Sequence, residues 1–208
     1  MELEKEILSD LVVWSKYARF VPELNRRETW TELVTRNKEM HLRKFPQMTA
    51  LIERAYELVY AKKILPSMRS LQFGGKPIEV NNTRLFNCSY LSVDDYRAFS
   101  ETMFLLLCGT GVGFSVEQQY VKQLPEVPDQ LYDSQTTIVV SDSKEGWAKS
   151  LRQLLALLYS GEVPKFDLSK VRPAGARLKT FGGRASGAKP LEDLFKFVIT
   201  KFKGAVGR

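Results

Sequence analysis

Cysteine and histidine are nearly missing from this 208-residue chain, which has two cysteines, Cys88 and Cys108, and one histidine, His41. Neither cysteine sits in a CxxC pair, and a single histidine does not complete a usual zinc set with them, so no metal site is expected. A disulfide framework is not expected on the same count. No apolar run reaches the roughly 18 residues of a membrane-spanning helix, and no signal peptide is present, so the expectation is a cytoplasmic protein with no membrane partner. Internal repeats and low-complexity tracts are absent. No Lys/Arg-rich block or aromatic-basic interleaving marks a nucleic-acid groove, so direct DNA binding is not expected.

What is present is ordinary for a globular protein: 44% hydrophobic and 26% charged residues. The length suits one sizeable core, or a domain with a helical arm. Lysine and arginine number 31 against 24 acids, a net charge of +7. That balance suits anionic partners such as nucleotides, and it equally suits a merely lysine-rich surface.

The first 63 residues read as a small helical bundle. Leu3, Ile7, Leu11, Trp14 and Ala18 recur at helical spacing over Glu2–Phe20. Thr29 and Glu32 form a capping box for a second helix running to about Leu42. Met48, Leu51, Ile52, Ala55, Leu58 and Val59 mark a third, ending near Lys63. Residues 64–208 read as a second region in which strand and helix alternate, which implies an α/β layer. Leu65–Gly75 is expected to be extended, Gln118–Gln135 a surface loop, Thr136–Val140 a strand, and Phe166–Val171 another. Asp142 or Ser143 caps a helix to Ser160, with Gly161 as its stop, and Pro190 opens a last helix to about Lys203.

The organising stretch is Arg84–Glu117, RLFNCSYLSVDDYRAFSETMFLLLCGTGVGFSVE. Leu85–Leu91 reads as a strand. Ser92 offers an N-cap, with Asp94 and Asp95 in the first turn of a helix that ends at the glycine run 109–113. Phe114–Glu117 then reads as the next strand, giving a βαβ unit with parallel, buried strands. The glycine run is no dinucleotide fingerprint, because Phe114 stands where a third glycine belongs. Taken alone, Cys88 reads as a small buried hydrophobe, Asp95 as a helix-start acid, and Lys179–Gly187 (KTFGGRASG) as a generic phosphate-binding turn.

Those residues carry a resemblance. NCSYLSVDDYRAFSETMFLLLCGTGVGFSVE resembles the start of the catalytic barrel of ribonucleotide reductases, the nearest match being the adenosylcobalamin-dependent (class II) ribonucleoside-triphosphate reductases. LPSMRSL (65–71), DSKEGW (142–147) and VRPAGARLKTFGGRASG (171–187) agree in order and rough spacing, so the resemblance spans about two thirds of the chain. It implies an α/β fold: an N-terminal helical region followed by the first part, a half-barrel, of a barrel of about ten strands.

The resemblance gives the residues roles. Cys88 matches the barrel-strand cysteine that faces the substrate ribose, one of a redox pair that reduces the 2′ position. Cys108 reads instead as packing, because the intervening helix separates it from Cys88. Ser67, Asn87 and Gly111 match substrate-contacting positions. Asp95, or Asp94 if the register differs by one, matches an acid that contacts the sugar of a deoxynucleoside triphosphate effector. Lys179, Phe181, Gly182, Gly183, Arg184, Ala185, Ser186 and Gly187 match a specificity loop between effector and substrate base, an allosteric relay.

The same resemblance marks what this sequence does not contain: the NPCGE-like run with the thiyl cysteine, the second redox cysteine, the cobalamin-contacting segments and the shuttle cysteines. The expectation is an amino-terminal piece, from a truncation, a split gene or an intron- or intein-interrupted gene, inactive alone. The whole enzyme would reduce ribonucleoside triphosphates or diphosphates with adenosylcobalamin and a thioredoxin-like reductant, using the remaining C-terminal portion. A stand-alone nucleotide-binding regulatory module without catalysis is the rival expectation.

Overall fold

The computed structural model describes residues 2–178 and 183–207. The chain opens with helix α1 (Glu2–Val12), which runs on through one π-helical turn, Val13–Tyr17. The periodicity assigns Leu3, Ile7, Leu11 and Trp14 to a core, yet all four are more than half exposed, and only Ala18 is buried. Periodicity fixes which residues share a face, not what covers it. A short antiparallel ribbon, β1 (Phe20–Val21) and β2 (Arg26–Arg27), turns through Asn25 in the left-handed region.

Helix α2 (Trp30–Lys44) starts on the expected capping box. The Glu32 N–H donates to Thr29 Oγ1 at 3.3 Å, and the Thr29 N–H donates to Glu32 Oε2 at 2.7 Å. Helix α3 (Thr49–Tyr60) lies against it, and Leu33, Val34, Tyr56, Val59 and Leu71 make a buried cluster. Each such aliphatic side chain taken fully out of water contributes about 1.5–3 kcal/mol. The buried face of α3 is rotated from the expected one, since Met48, Leu51 and Leu58 stay exposed.

The segment read as extended, 65–75, is instead helix α4 (Met68–Phe73). The reason lies in side chains that supply both ends. Ser67 Oγ accepts the Ser70 N–H at 3.2 Å. At the other end, Arg36 donates to the carbonyls of Leu71 (3.2 Å) and Gly74 (2.7 Å), and Arg19 donates to those of Gln72 (3.3 Å) and Gly74 (2.9 Å). Glu28 offsets part of this charge, holding Arg36 through both carboxylate oxygens at 2.7 and 2.9 Å. Burial, then the nearby Arg36 charge, pulls the Arg19 guanidinium down to about 10. Gly74 has no space for a side chain: a Cβ there would stand 2.6 Å from Asn37 Nδ2.

Asn37 carries a second buried network, donating from Nδ2 to Ser70 O and Oγ at 2.7 and 2.9 Å and accepting from the Tyr56 hydroxyl. Helix α5 (Lys76–Val80) and a 3-10 turn over Asn82–Leu85 follow. The compact amino-terminal unit therefore runs to Asn87, past the helical region's expected limit at residue 63.

The second unit, Cys88–Arg208, holds two parallel strand pairs, each spanned by a helix. In the first, β3 (Cys88–Ser92), α6 (Arg97–Leu107) and β4 (Gly111–Ser115) form the βαβ unit expected from sequence. The strands sit later and earlier, respectively, than predicted: β3 begins at Cys88, and β4 takes in Gly111 and Gly113. Neither strand is buried on both faces, since Cys88, Tyr90, Gly111 and Gly113 are exposed. Ser92 is not the cap of α6; its hydroxyl donates to Asp94 Oδ2 at 2.8 Å, and Asp95 Oδ1 accepts the Arg97 N–H at 2.7 Å.

A short helix, α7 (Gln118–Val121), leads to the second pair, β5 (Tyr132–Val139), α8 (Lys144–Tyr159) and β6 (Glu162–Asp167). Both strands begin earlier than expected, and the predicted surface loop gives up its last residues to β5. Ser143 is the cap, its Oγ accepting the Gly146 N–H at 2.9 Å, and Gly161 ends the helix at φ 86°. Helix α9 (Lys189–Ala205) opens with Pro190 in its first turn. Ile138 and Val140 with Leu151, Leu154, Leu155 and Leu158 of α8 and Leu191 and Phe195 of α9 form the core. No helix among the described residues is long and apolar enough to cross a membrane.

Candidate active site

The residues singled out by sequence fall in both compact units, and each group is built by its own unit. In the second, Cys88 opens β3 and pairs in register with Gly111, the first residue of β4. Alternation along a strand then puts Cys88, Tyr90 and Ser92 on one face with Gly111, Gly113 and Ser115. That face is open around the thiol, because the two residues opposite Cys88 and Tyr90 carry no side chain. Ser89, on the other face, donates from Oγ to the Gly111 carbonyl at 3.2 Å, tying the two strand starts together. The Cys88 thiol is free and exposed.

Cys108 forms no disulfide and is fully buried at the C-terminal end of α6. Lys144 Nζ donates to its sulfur at 3.4 Å. The 11 residues of α6 amount to about 16 Å, so that helix lies between the two thiols along the chain.

Of the two acids, Asp94 is turned inward to Ser92, whereas Asp95 is exposed at the start of α6, with Arg97 Nε 3.8 Å from its Oδ1. The glycine-rich loop has more structure than a free loop. Lys179, Phe181 and Gly182 lie outside the described residues, but what flanks them is a two-stranded ribbon. Arg177 pairs antiparallel with Arg184; Gly175 N–H donates to Ala185 O at 2.9 Å, and Ala185 N–H to Ala176 O at 2.7 Å. Arg184 NH1 also donates to the Gly175 carbonyl at 2.9 Å. The ribbon ends at Gly187, φ 76°, where a Cβ would stand 2.9 Å from the Ala174 nitrogen. It begins at Arg172, whose Nε donates to Asp142 Oδ2 at 2.9 Å. That guanidinium holds the Asp142 carboxyl below its ordinary value. Ser186 is exposed at the ribbon's end, and Gly183 reaches φ 81° with open space around it.

In the first unit, the hydroxyl oxygen of Ser67 is committed to capping α4. Asn87 accepts at Oδ1 from Arg69 Nε at 2.8 Å. Sequence reading passed over Arg69, Asp142 and Arg172 as site-shaping residues; the signal available was only that each lies inside one of the four matching runs.

Histidine ring nitrogens are common ligands of transition metals. His41 has its Nδ1 engaged within its own unit, 2.9 Å from the Asn37 carbonyl and 3.0 Å from the Tyr56 hydroxyl. Both contacts are made by Nδ1, and a histidine so oriented keeps Nε2 as its ligating nitrogen.

Residues 113–200 match the family described as B12-dependent ribonucleotide reductase, insertion domain. That is a division the sequence reading did not make within residues 64–208. A putative adenosylcobalamin-dependent ribonucleoside-triphosphate reductase of Mycobacterium phage D29 is 32% identical over 88% of this chain and 31% of its own length. The corresponding reductase of Euglena gracilis is 33% identical over 75% of this chain and 22% of its own, and that of Lactobacillus helveticus (strain DPC 4571) 28% over 92% and 36%. A crystal structure of a B-12 dependent (class II) ribonucleotide reductase superposes with a TM-score of 0.83 at 24% identity, covering 95% of this chain and 37% of that one. The fold is thus shared, and the chain spans about a third of the length of the relatives it matches.

Proposed function

The chain being a relative of the adenosylcobalamin-dependent ribonucleotide reductases, we propose that it is the amino-terminal part of an enzyme reducing ribonucleoside triphosphates, or diphosphates, to deoxyribonucleotides for DNA synthesis. The observation that carries the reading is the exposed, free thiol of Cys88, set opposite Gly111 at the start of two parallel strands.

The net reaction needs two thiols: the 2′ C–OH and two S–H groups become C–H, one disulfide and water. Cys88 supplies one thiol. Cys108 does not supply the other, being fully buried beside Lys144. The second cysteine therefore comes from the remaining, C-terminal portion of the enzyme, and a thioredoxin-like dithiol restores the pair. Adenosylcobalamin, when bound, supplies the initiating radical; its site is assigned mainly to that remaining portion, as the resemblance implies.

On this chain, Gly111 leaves room for a ribose against the thiol, as an absent Cβ permits. Asp95, the exposed acid of the pair, takes the effector sugar. The ribbon at 175–178 and 183–186 carries the effector's presence to the substrate base, with Arg184 and Ser186 as its donors. A dithiol-driven reduction assay on this chain mixed with the polypeptide supplying the rest, adenosylcobalamin included, tests the reading. Activity should appear only in the mixture and vanish with Cys88→Ser. Activity surviving Cys88→Ser overturns the assignment of the redox cysteine. An inactive mixture in which this chain still binds deoxynucleoside triphosphates favours the regulatory module.

A further inference from the structure

Asn87 immediately precedes Cys88 in the chain, and its carboxamide is not loose. Its Oδ1 accepts from Arg69 Nε at 2.8 Å. Arg69 projects from the first turn of α4, its guanidinium 5.9 Å from the centroid of the buried Phe73 ring. The helix it stands on is bound at both ends, by Ser67 at the N-terminus and by the Arg19 and Arg36 guanidiniums on its last carbonyls. An amide whose oxygen is held in this way has only one orientation left for its nitrogen. Among the described residues no acceptor takes the Asn87 Nδ2 hydrogens.

We infer that Arg69 is a positioning residue for the reductase: it fixes the Asn87 carboxamide with its NH2 outward, so that Asn87 meets the nucleotide as a hydrogen-bond donor. The inference rests on the proposed function and deepens it. Asn87 then selects an acceptor, a ribose hydroxyl oxygen or a phosphate oxygen, and Arg69 acts through it alone. The assignment predicts an ordering that simple packing does not. Asn87→Asp keeps an oxygen for Arg69 but has no NH2 to offer, so it should lose ligand as fully as Asn87→Ala. Arg69→Lys retains the charge but not a planar Nε–H aimed at Oδ1, so it should behave more like Arg69→Ala than like the native chain.

Two measurements on the full chain test this. The Asn87 side-chain amide signals in a nitrogen–proton NMR spectrum, assigned by their loss in Asn87→Ala, should move to positions of a free exposed carboxamide in Arg69→Ala. Signals that stay put overturn the inference whatever the ligand is. Titration with a ribonucleoside triphosphate should then show about tenfold weaker binding for Arg69→Ala, for Asn87→Ala and for the double variant alike, the size of one lost charge-assisted hydrogen bond. Losses that simply add, making the double variant about a hundredfold weaker, overturn positioning in favour of two separate contacts. If the native chain binds no nucleotide while the amide signals respond to Arg69→Ala as expected, the positioning stands and the proposed function is what fails.

Discussion

Glu28→Gln isolates the force that makes residues 68–73 a helix. The Glu28 and Arg36 side chains are only 9% and 16% exposed. The glutamate also accepts the backbone N–H of Arg19 at 3.0 Å. The substitution keeps shape and volume but removes the one negative charge facing two guanidiniums. An uncompensated buried charge costs about 3–5 kcal/mol. The control is Glu79→Gln, which removes the partner of Arg43 in a pair whose side chains are 41% and 57% exposed. Exposed pairs of that kind contribute about 0.2–1 kcal/mol. Urea unfolding followed by tryptophan fluorescence in a Trp147→Phe background reads the amino-terminal unit through Trp14 and Trp30. With a slope of about 1–3 kcal/mol per molar for small proteins, that cost should lower the midpoint of Glu28→Gln by about 1–5 M. A midpoint shift no larger than that of Glu79→Gln would refute the claim that buried charge closes the end of α4.

Thiol titration of the native chain should show one fast and one slow cysteine, and Cys88→Ser should remove the fast phase alone, since Cys108 is fully buried. Two fast phases would mean that α6 does not cover Cys108. Gly187→Ala should lower thermal stability more than Gly183→Ala. Both sites have positive φ, at about 1–2 kcal/mol for an L side chain, but only Gly187 meets backbone, at 2.9 Å. Equal losses would show that the Ala174 contact is unimportant. Asp142 is held down chiefly by its hydrogen bond from Arg172, so its contribution to stability is present above the ordinary carboxylate value of 3.8 and lost as pH falls through its lower folded value. Carboxyl NMR titration should show that value rising in Arg172→Leu; no rise would remove the pair as the anchor of the ribbon. Ser143→Ala should cost about 1 kcal/mol through loss of the α8 cap, read by thermal unfolding.

Sequence and structure agree where the deciding information is local. Thr29 with Glu32, Ser143 with the Gly146 N–H, Gly161 and Pro190 are signals within one turn of the helix end they control. The parallel pairing of β3 with β4 was legible because a long apolar helix separates two short strands. Residues 68–73 misled because their helix is closed by Arg19 and Arg36, more than thirty residues away in sequence. Gly111 and Gly113 look like turn residues by propensity, and pairing with Cys88 and Tyr90 overrides it. The stripe on α1 was correctly seen as one face, but nothing in the sequence says what covers it. At the candidate site, Cys88 and Gly111 carry separate expectations from sequence, and the sheet sets them in register. Arg69, which holds Asn87, was not read at all, since a lone arginine within a run carries no sign of its partner.

The most direct measurement follows Cys88 itself through one turnover. The chain, mixed with the polypeptide supplying the rest of the enzyme and with adenosylcobalamin, is given ribonucleoside triphosphate and no external dithiol. It is then alkylated and mapped by mass spectrometry. The account predicts that Cys88 is found in a disulfide with a cysteine from outside this chain, in proportion to deoxynucleotide formed, while Cys108 remains a thiol. Deoxynucleotide formed with Cys88 still fully alkylated would contradict it.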